Sequence, residues 1–208
     1  IGDSMNDQEL TSMKLDVLRE IGNIGAGNAT TALSVMLNSG LRVEVPVVKM
    51  LNFNEIPDMI GGPDTVVAAV LTHFTGEVSG MTLFVLEMEE AKNLAGTMLG
   101  RTYDENFTEF DYMDRSALKE IGNILMSSYI SSIGTLTNLT LTIAPPAICV
   151  DMAGSVLSLP ISELGQIGDK ALIIDSKFLD NERPINGFLL FVTDEMSYEH
   201  IFQALGIR

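Results

Sequence analysis

The chain has 208 residues, of which 46% are hydrophobic and 19% charged, a composition that supports a packed interior and argues against a disordered chain. Its net charge of −16 would repel phosphate backbones and anionic lipids, which makes nucleic acids and membrane surfaces poor partners. The single cysteine excludes an internal disulfide and fits a reducing, cytoplasmic setting, and two histidines leave little for a Cys/His metal site.

Neither a membrane-spanning segment nor a signal peptide is predicted. The longest apolar run, Val66–Leu71, has six residues against the roughly 20 that a spanning helix needs, and it is interpreted as a buried strand. The N-terminus lacks a basic region ahead of an apolar core. Ile1–Ser4 precede a methionine and are interpreted as added residues that lie outside the fold.

One seven-residue segment occurs twice, 100 residues apart. Leu18–Ile24 and Leu118–Ile124 are identical at six positions, and the seventh exchanges Arg for Lys and keeps its charge. Met13 matches Met113 at the same offset. This internal similarity indicates that the chain consists of two copies of one unit.

The two copies predict the same elements in chain order: a long helix, a strand, a short helix or turn, two strands and a final helix. In the first copy these are expected at about 9–38, 42–50, 54–62, 65–73, 81–87 and 88–99. In the second they are expected at about 111–134, 140–150, 157–168, 171–177, 188–193 and 194–205. Each final helix ends at a Leu-Gly pair, with Gly100 and Gly206 as the caps.

The duplicated order predicts an α/β (α+β) fold in which about six strands form one shared sheet, related by a pseudo-twofold axis and covered by helices. The strand-like runs 80–85 and 187–192 align after an insertion of seven residues. We expect a single domain over 1–208, made of repeats at about 9–100 and 107–206 and joined by the polar linker 101–107. Cys149 lies in an apolar run and is interpreted as a small buried residue in preference to a nucleophile.

The first long helix predicts an apolar stripe and a separate polar arc. Asp16, Glu20 and Asn23 fall within an arc of about 60°, and Glu20 and Asn23 are neighbours with a rise of roughly 4.5 Å. The stripe expected to face the core contains Leu10, Met13, Val17, Leu18, Ile21, Ile24 and Val35.

The second long helix repeats this division. Ser116, Glu120 and Asn123 occupy its polar arc. Its apolar stripe contains Met113, Ala117, Leu118, Ile121 and Ile124.

The polar arc has two interpretations, a solvated helix face or a functional pair. The halves differ almost everywhere, yet a Glu and an Asn persist in both at one spacing, although a solvated face need only remain polar. Asparagine is also a poor helix former, so its retention within a helix opposes propensity. The comparison of the two halves favours a functional pair.

Glycines beside the pair have structural explanations. Gly22 and Gly122 recur, which indicates close approach of a packed element or of a docking partner. Gly25 and Gly27 do not recur and are interpreted as helix-packing positions. The run fits neither nucleotide-binding glycine pattern and follows no predicted strand.

A glutamate with an asparagine suits a limited chemistry. An amide cannot act as a general base, but it can hold a water molecule by accepting and donating hydrogen bonds. That suffices where the substrate is already activated, as in an acyl phosphate or a nucleotide phosphate. The carboxylate would then hold a cation on the partner or contribute to positioning, and a phosphate-binding metal would come from the partner.

The spacing of these residues carries a family resemblance. A first residue that is Asp or Ser is followed after three residues by Glu, after two more by Asn and after twenty-two more by Pro. The pattern occurs twice, in Asp16, Glu20, Asn23 and Pro46 and in Ser116, Glu120, Asn123 and Pro146. The chain thereby resembles, over essentially its whole length, the CheC/CheX/FliY family of bacterial chemotaxis phosphatases.

Within that family, two signatures in one chain resemble the CheC type. CheX-type members carry one signature per chain and dimerise, and FliY-type members carry an additional flagellar-switch domain for which no room is expected here. Pro46 and Pro146 sit early in strands and are expected at edge or strand-start positions, shaping the sheet beneath the polar helix.

The resemblance implies hydrolysis of the aspartyl phosphate on the response regulator CheY. By this resemblance, Asn23 and Asn123 would orient the attacking water, and Glu20 and Glu120 would pair with the regulator's active-site lysine. The regulator would supply Mg²⁺, and no cofactor is expected on this chain.

The resemblance also implies supporting residues and a second partner. Asp16 and Ser116 would tune docking or the helix surface. The receptor deamidase CheD would bind and raise phosphatase activity. The segment 157–168, longer than its counterpart 54–62, is a candidate for CheD docking, with an ordinary surface turn and helix as the other interpretation.

Two further functions are alternatives to the enzyme. A binding module could sequester phosphorylated CheY and regulate CheD, although plain binding would not require an amide at both sites. A structural component of the flagellar switch is weakened by the missing extra domain.

Overall fold

The computed structural model describes residues 7–37, 42–44, 46–104, 106–165, 170–180 and 183–207. Ile1–Ser4 and Asn38 lie outside these ranges, and the side chain of Leu10 is also outside the description. Within the ranges the helices are α1 (Asp7–Leu37), α2 (Ile56–Met59), α3 (Met88–Leu99), α4 (Tyr112–Thr137), α5 (Ala153–Leu164) and α6 (Glu195–Ala204). The strands are β1 (Arg42–Val43), β2 (Val47–Asn52), β3 (Val66–Gly76), β4 (Gly80–Glu87), β5 (Leu141–Ile143), β6 (Ala147–Met152), β7 (Lys170–Asp180) and β8 (Arg183–Thr193).

All eight strands form one antiparallel sheet with six strand positions. The order is β1-β7-β8-β4-β3-β5, with β2 continuing the β1 edge along β7 and β6 continuing the β5 edge along β3. The first strand of each half therefore pairs with the second strand of the other half. The predicted α/β fold with about six strands in a shared sheet is confirmed, and its interleaved strand order joins the two halves.

The pseudo-twofold axis can be located in the middle of the sheet. Strands β4 and β8 pair antiparallel, and Leu83 lies opposite Leu190. These two residues are equivalent in the alignment of 80–85 with 187–192, so a residue faces its own counterpart at this point. Met81 and Val85 lie opposite Val192 and Phe188, as a twofold rotation about that pair requires.

The sheet separates two hydrophobic cores. Alternate residues of a strand face opposite sides, so on β4 Phe84 contributes to one core and Leu83 to the other. The long helices α1 and α4, with α3 and α6, cover the first side, whereas the short helices α2 and α5 cover the second. Cys149 on β6 is half-buried against the second core, and burial raises the pKa of its thiol, consistent with a small packing residue.

Both edge strands are interrupted at proline, which corrects the two continuous strands expected at 42–50 and 140–150. Pro46 falls between β1 and β2, and Pro146 falls between β5 and β6. Proline has no N–H to donate to the ladder and is tolerated at a sheet edge, where one side of the strand has no neighbour. The expected edge position of both prolines is confirmed.

Other boundaries differ from expectation only locally. Gly100 caps α3 in the left-handed conformation, with φ of 65°, and Gly206 follows α6 with φ of 81°, so both predicted caps are confirmed. Helix α5 begins at Ala153, four residues before the expected segment, and part of 157–168 lies outside the described residues.

The linker between the halves is anchored more firmly than its polar sequence suggests. Arg101 donates to Asp111 at 3.1 Å and also pairs with Asp114, which is buried at the start of α4. Asp111 caps α4 by accepting from the backbone N–H of Asp114 at 2.9 Å. Tyr103 also donates to Asp114, so the end of α3 is tied to the start of the second long helix.

This anchor predicts an acid-sensitive contribution to stability. Hydrogen bonds from Arg101, with the backbone bond from Asp114, lower the pKa of Asp111 from 3.8 to about 2. Because the folded-state pKa is depressed, the contribution is present above about pH 4 and is lost as the pH falls towards about 2. We expect Asp111→Asn to flatten the decline in the urea midpoint over this window. An equal decline in the parent and Asp111→Asn would contradict the assignment, and Asp58→Asn, an exposed carboxylate on α2, serves as the control.

Candidate functional site

A recurring glycine brings each long helix close to the sheet. A Cβ atom at Gly22 would lie 2.7 Å from Cγ2 of Val48 on β2, and one at Gly122 would lie 2.8 Å from Cβ of Val70 on β3. Real Cβ atoms do not approach so closely, so these positions require glycine. Of the two explanations for the recurring glycines, contact with a packed element is the one observed.

This contact fixes the rotation of α1. With Gly22 against the sheet, Glu20 lies about 160° around the helix from the contact and Asn23 about 100°. Both side chains are exposed, and neither makes a hydrogen bond or ion pair with any residue in the described part of the chain. A carboxylate and an amide are therefore available to an external ligand one turn apart.

The second helix presents the same pair with less exposure of its amide. Glu120 is exposed and Asn123 is half-buried. Among the described residues, neither side chain has a hydrogen-bond or ion-pair partner. All four candidate groups thus retain their hydrogen-bonding capacity for another molecule.

The first signature residue differs between the helices in its contacts. Asp16 accepts a hydrogen bond from Nη1 of Arg19 at 2.8 Å, and both side chains are exposed. Ser116 is exposed and cannot form such an ion pair, and Lys119 stands at the position of Arg19. The two helices therefore present different charge distributions beside the same Glu and Asn.

The signature prolines lie in the edge strands of the sheet, and neither is part of an exposed pair. Pro46 is buried, and its Cγ lies 3.5 Å from the position of a Cβ on Gly22. Pro146 is half-buried between β5 and β6. Both sit at the sheet, and Pro46 directly supports the turn of α1 that carries Glu20 and Asn23.

Three residues expected in the apolar stripes are exposed, which corrects the sequence interpretation. Met13 is 41% exposed, Val35 81% and Met113 54%. The predicted apolar stripes are too wide and reach the exposed side of each helix. On α1, for example, Met13 lies only about 20° around the helix axis from the exposed Glu20. Reasoning from hydrophobicity missed these exposed methionines, although the helical angle relative to Glu20 indicates them.

The remaining stripe residues whose side chains the structure describes do face the protein interior. The fully buried ones are Leu18, Ile21, Ala117, Leu118 and Ile121. Val17 and Ile124 are partly buried and pack against the same core, and Ile24 is also partly buried.

The candidate pairs offer a metal ion too few ligands. Within the described ranges, no group of three or more His, Cys, Asp or Glu side chains is arranged to hold a metal ion. His73 is engaged elsewhere, with Nε2 3.0 Å from a carboxylate oxygen of Glu163 on α5. Each candidate pair consists of one carboxylate and one amide.

Comparison with known proteins decides the family. A model of the CheC-like family matches residues 13–50 and 113–150, and each match spans one complete signature. The CheY-P phosphatase CheC of Bacillus subtilis (strain 168) is 35% identical over 196 residues, covering 93% of this chain and 94% of that protein. This chain belongs to the CheC-like family.

A second relative and a solved structure extend the comparison. The flagellar motor switch phosphatase FliY of Bacillus subtilis (strain 168) is 30% identical to this CheC-like chain over 140 residues, which are 67% of this chain and 36% of that protein. The crystal structure of Thermotoga maritima FliY superposes with a TM-score of 0.73 at 20% identity, covering 93% of this chain and 96% of the other. The similarity to the solved FliY structure shows a shared fold. The resemblance to the CheC/CheX/FliY family, which the repeated signature indicated, is confirmed.

The length and composition of a helix determine whether it can cross a membrane. None of the helices in the described ranges combines the length and apolar composition that crossing a bilayer requires. Its longest helices, α1 and α4, carry the polar pairs and pack against the sheet and each other.

Proposed function

We propose that this CheC-like protein is a phosphatase that hydrolyses the aspartyl phosphate of a CheY response regulator. The observation that carries the proposal is the unpartnered carboxylate and amide, one helical turn apart, at the surface of each half of the described structure. The relative that aligns along nearly the whole chain is named a CheY-P phosphatase, and the relative FliY is also named a phosphatase.

In the proposed mechanism the amide of Asn23 or Asn123 orients the attacking water. The amide can accept one hydrogen bond from the water and donate another to the phosphoryl group, which aligns the water without removing its proton. An aspartyl phosphate is an activated acyl phosphate, so alignment and charge stabilisation supply most of the catalysis. The free amides of both helices are suited to this role.

The carboxylate of Glu20 or Glu120 is proposed to hold the regulator in register. A lysine at the regulator's phosphorylation site would pair with this carboxylate as the amide enters beside the phosphoryl group. The rise of roughly 4.5 Å between Glu and Asn keeps both contacts within one turn. Both carboxylates are exposed, so they are accessible to a docking lysine.

The metal ion of the reaction is proposed to come from the regulator. Mg²⁺ is usually held by one or two carboxylates together with phosphate oxygens and water. The phosphorylated regulator carries the phosphate, and the helices of this chain would add only the water-orienting and lysine-binding groups. We therefore assign no cofactor to this chain.

A second candidate function is a binding module that sequesters phosphorylated CheY and regulates the deamidase CheD. Helix α5 lies over the second core, on the other side of the sheet from α1 and α4. Its exposed residues Ser158, Ile161 and Ser162 would allow CheD to dock there while the regulator occupies a long helix. The asparagine retained in both halves favours the enzyme, because sequestration alone does not need an amide at each site.

Phosphate release from a regulator charged with acetyl phosphate separates the two functions. We expect a substoichiometric amount of this protein to accelerate release from an excess of regulator. Sequestration would instead require stoichiometric amounts and would leave the hydrolysis rate of the bound regulator unchanged or slower. Release no faster than from the regulator alone would contradict the proposed phosphatase.

The carboxylates are expected to affect docking more than folding. Replacing Glu20 and Glu120 together by alanine removes the proposed lysine contact and should raise KM by roughly tenfold, the scale of one charge-assisted hydrogen bond. The unfolding free energy should change by less than about 0.5 kcal/mol, because both side chains are exposed and unpartnered.

The control for this variant removes two carboxylates elsewhere. Glu109→Ala with Glu195→Ala causes the same change in net charge at exposed positions off the long helices. An equal rise in KM would show that overall charge determines the effect. An unfolded circular dichroism spectrum for the Glu20 and Glu120 variant would instead make these residues structural.

A further inference from the structure

An exposed methionine accompanies the candidate pair in both halves. Met13 on α1 and Met113 on α4 are 41% and 54% exposed, and each lies seven residues before its glutamate. The two copies have otherwise diverged here, since Ser12 and Lys14 on α1 correspond to Tyr112 and Asp114 on α4. An apolar side chain has thus been retained at a solvent-facing position where its neighbours changed.

The methionine lies on the same side of the helix as the pair. Seven residues are close to two turns, which places Met13 about 10.5 Å along the helix from Glu20 and about 20° around it. The partly buried Val17 and Ile24 lie between this line and the core, and they border the polar arc with apolar surface. The helix face that carries the carboxylate and the amide is therefore bordered by exposed apolar surface.

A helix face that is merely exposed to solvent does not require methionine at positions 13 and 113. Single exposed hydrophobic residues are common on protein surfaces. A solvated face would nevertheless accept polar residues at 13 and 113, as it has accepted Asp and Ser at 16 and 116. Methionine is flexible and polarisable, so it adapts well to an apolar patch on a partner.

We propose that Met13 and Met113 are docking residues for the phosphorylated response regulator, each packing against apolar surface next to the regulator's phosphorylation site. The inference rests on the proposed function and adds a second contact to it. The methionine would contact the regulator about two turns from the glutamate and nearly three turns from the amide, and it would limit rotation about the Glu–Lys contact. It would contribute to KM, because it lies too far along the helix to touch the reacting atoms.

The test replaces both methionines with glutamine, which has a similar length and a similar helix propensity. For the Met13→Gln and Met113→Gln double variant we expect KM for the phosphorylated regulator to rise about fivefold to tenfold, with kcat within twofold of the parent. Met196→Gln is the control, because Met196 is 84% exposed on α6, outside the proposed surface, and its KM should not change. An unchanged KM in the double variant, or a fall in kcat alone, would overturn the inference.

A binding measurement separates this inference from the phosphatase proposal. A regulator loaded with beryllium fluoride and Mg²⁺ mimics the phosphorylated form without turnover, so its Kd reports docking alone. We expect the methionine double variant to weaken this Kd about as much as it raises KM. Normal Kd with altered turnover would overturn the docking role, and a parent that binds the regulator without hydrolysing phosphate would refute only the phosphatase.

Sedimentation of the isolated chain tests whether a second copy of the chain, rather than the regulator, binds to the same helix face. Loss of a dimer in the methionine double variant would assign this face to a second copy of the chain and overturn regulator docking. Identical sedimentation of parent and variant, together with the weakened Kd, is the expected result.

Discussion

Replacing Asn23 and Asn123 together by alanine is expected to reduce kcat for regulator dephosphorylation by about 100-fold or more, to near the regulator's own rate. The amide is the only group on the exposed pair that can both donate to and accept from a water molecule. Both asparagines lack hydrogen-bond partners within the described structure, so their replacement removes no internal hydrogen bond. Phosphate release under saturating regulator measures the effect.

The matched control is Asn28→Ala, which removes an exposed asparagine from the same helix about 80° away from Glu20. It should leave kcat and KM unchanged. The single variants, Asn23→Ala and Asn123→Ala, should each retain the activity of the other helix. A double variant that hydrolyses as fast as the parent would remove the asparagines from the mechanism.

Gly25→Ala is expected to reduce the free energy of unfolding by about 2–3 kcal/mol. A Cβ atom at Gly25 would overlap Cδ1 of Tyr129, a fully buried ring on α4. The ring is surrounded by core residues, so relief of the clash requires α1 and α4 to move apart. Urea unfolding followed by circular dichroism measures the change in unfolding free energy.

Gly27→Ala provides a control of opposite sign. Gly27 lies in the same helix and is exposed, and a Cβ atom added there would have no neighbouring atom within 4 Å, so alanine meets no obstacle. Replacing an exposed helical glycine by alanine should stabilise the protein by about 0.5–1 kcal/mol. A neutral Gly25→Ala variant would show that the two long helices separate without cost.

The duplication explains how much of the fold could be predicted. Local patterns repeated at a fixed offset indicate the order of elements, the buried strand at 66–71 and the shared sheet. The packing role expected for Gly25 is confirmed by its contact with Tyr129, whereas the same role for Gly27 is wrong, because Gly27 faces solvent. Nearby glycines in one helix face different surroundings, and local composition does not distinguish them.

Contacts between distant segments could not be predicted from local patterns. The pairing of β2 with β7 and of β6 with β3 depends on the packing of both halves together. The ion pairs of Arg101 with Asp111 and Asp114 likewise join residues whose sequence suggests only a polar linker. Their partners become apparent only when the tertiary structure is known.

The exposure of the polar arc could be predicted, but the presence of an exposed apolar residue beside it could not. Glu20 and Asn23 follow from helical periodicity, and the glycine contact with the sheet explains why their side faces solvent. Met13 is apolar, which predicts a core position, although its angle places it beside Glu20. Hydrophobicity alone does not separate a core residue from an apolar contact residue on the surface.

The most direct measurement of the central claim is a crystal structure of this protein with a CheY regulator that carries beryllium fluoride and Mg²⁺. We predict that the amide of Asn23 or Asn123 lies within about 3 Å of a water or fluoride in line with the acyl oxygen, and that the neighbouring glutamate contacts the regulator's lysine. A regulator bound elsewhere, with both asparagines still in solvent, would contradict it.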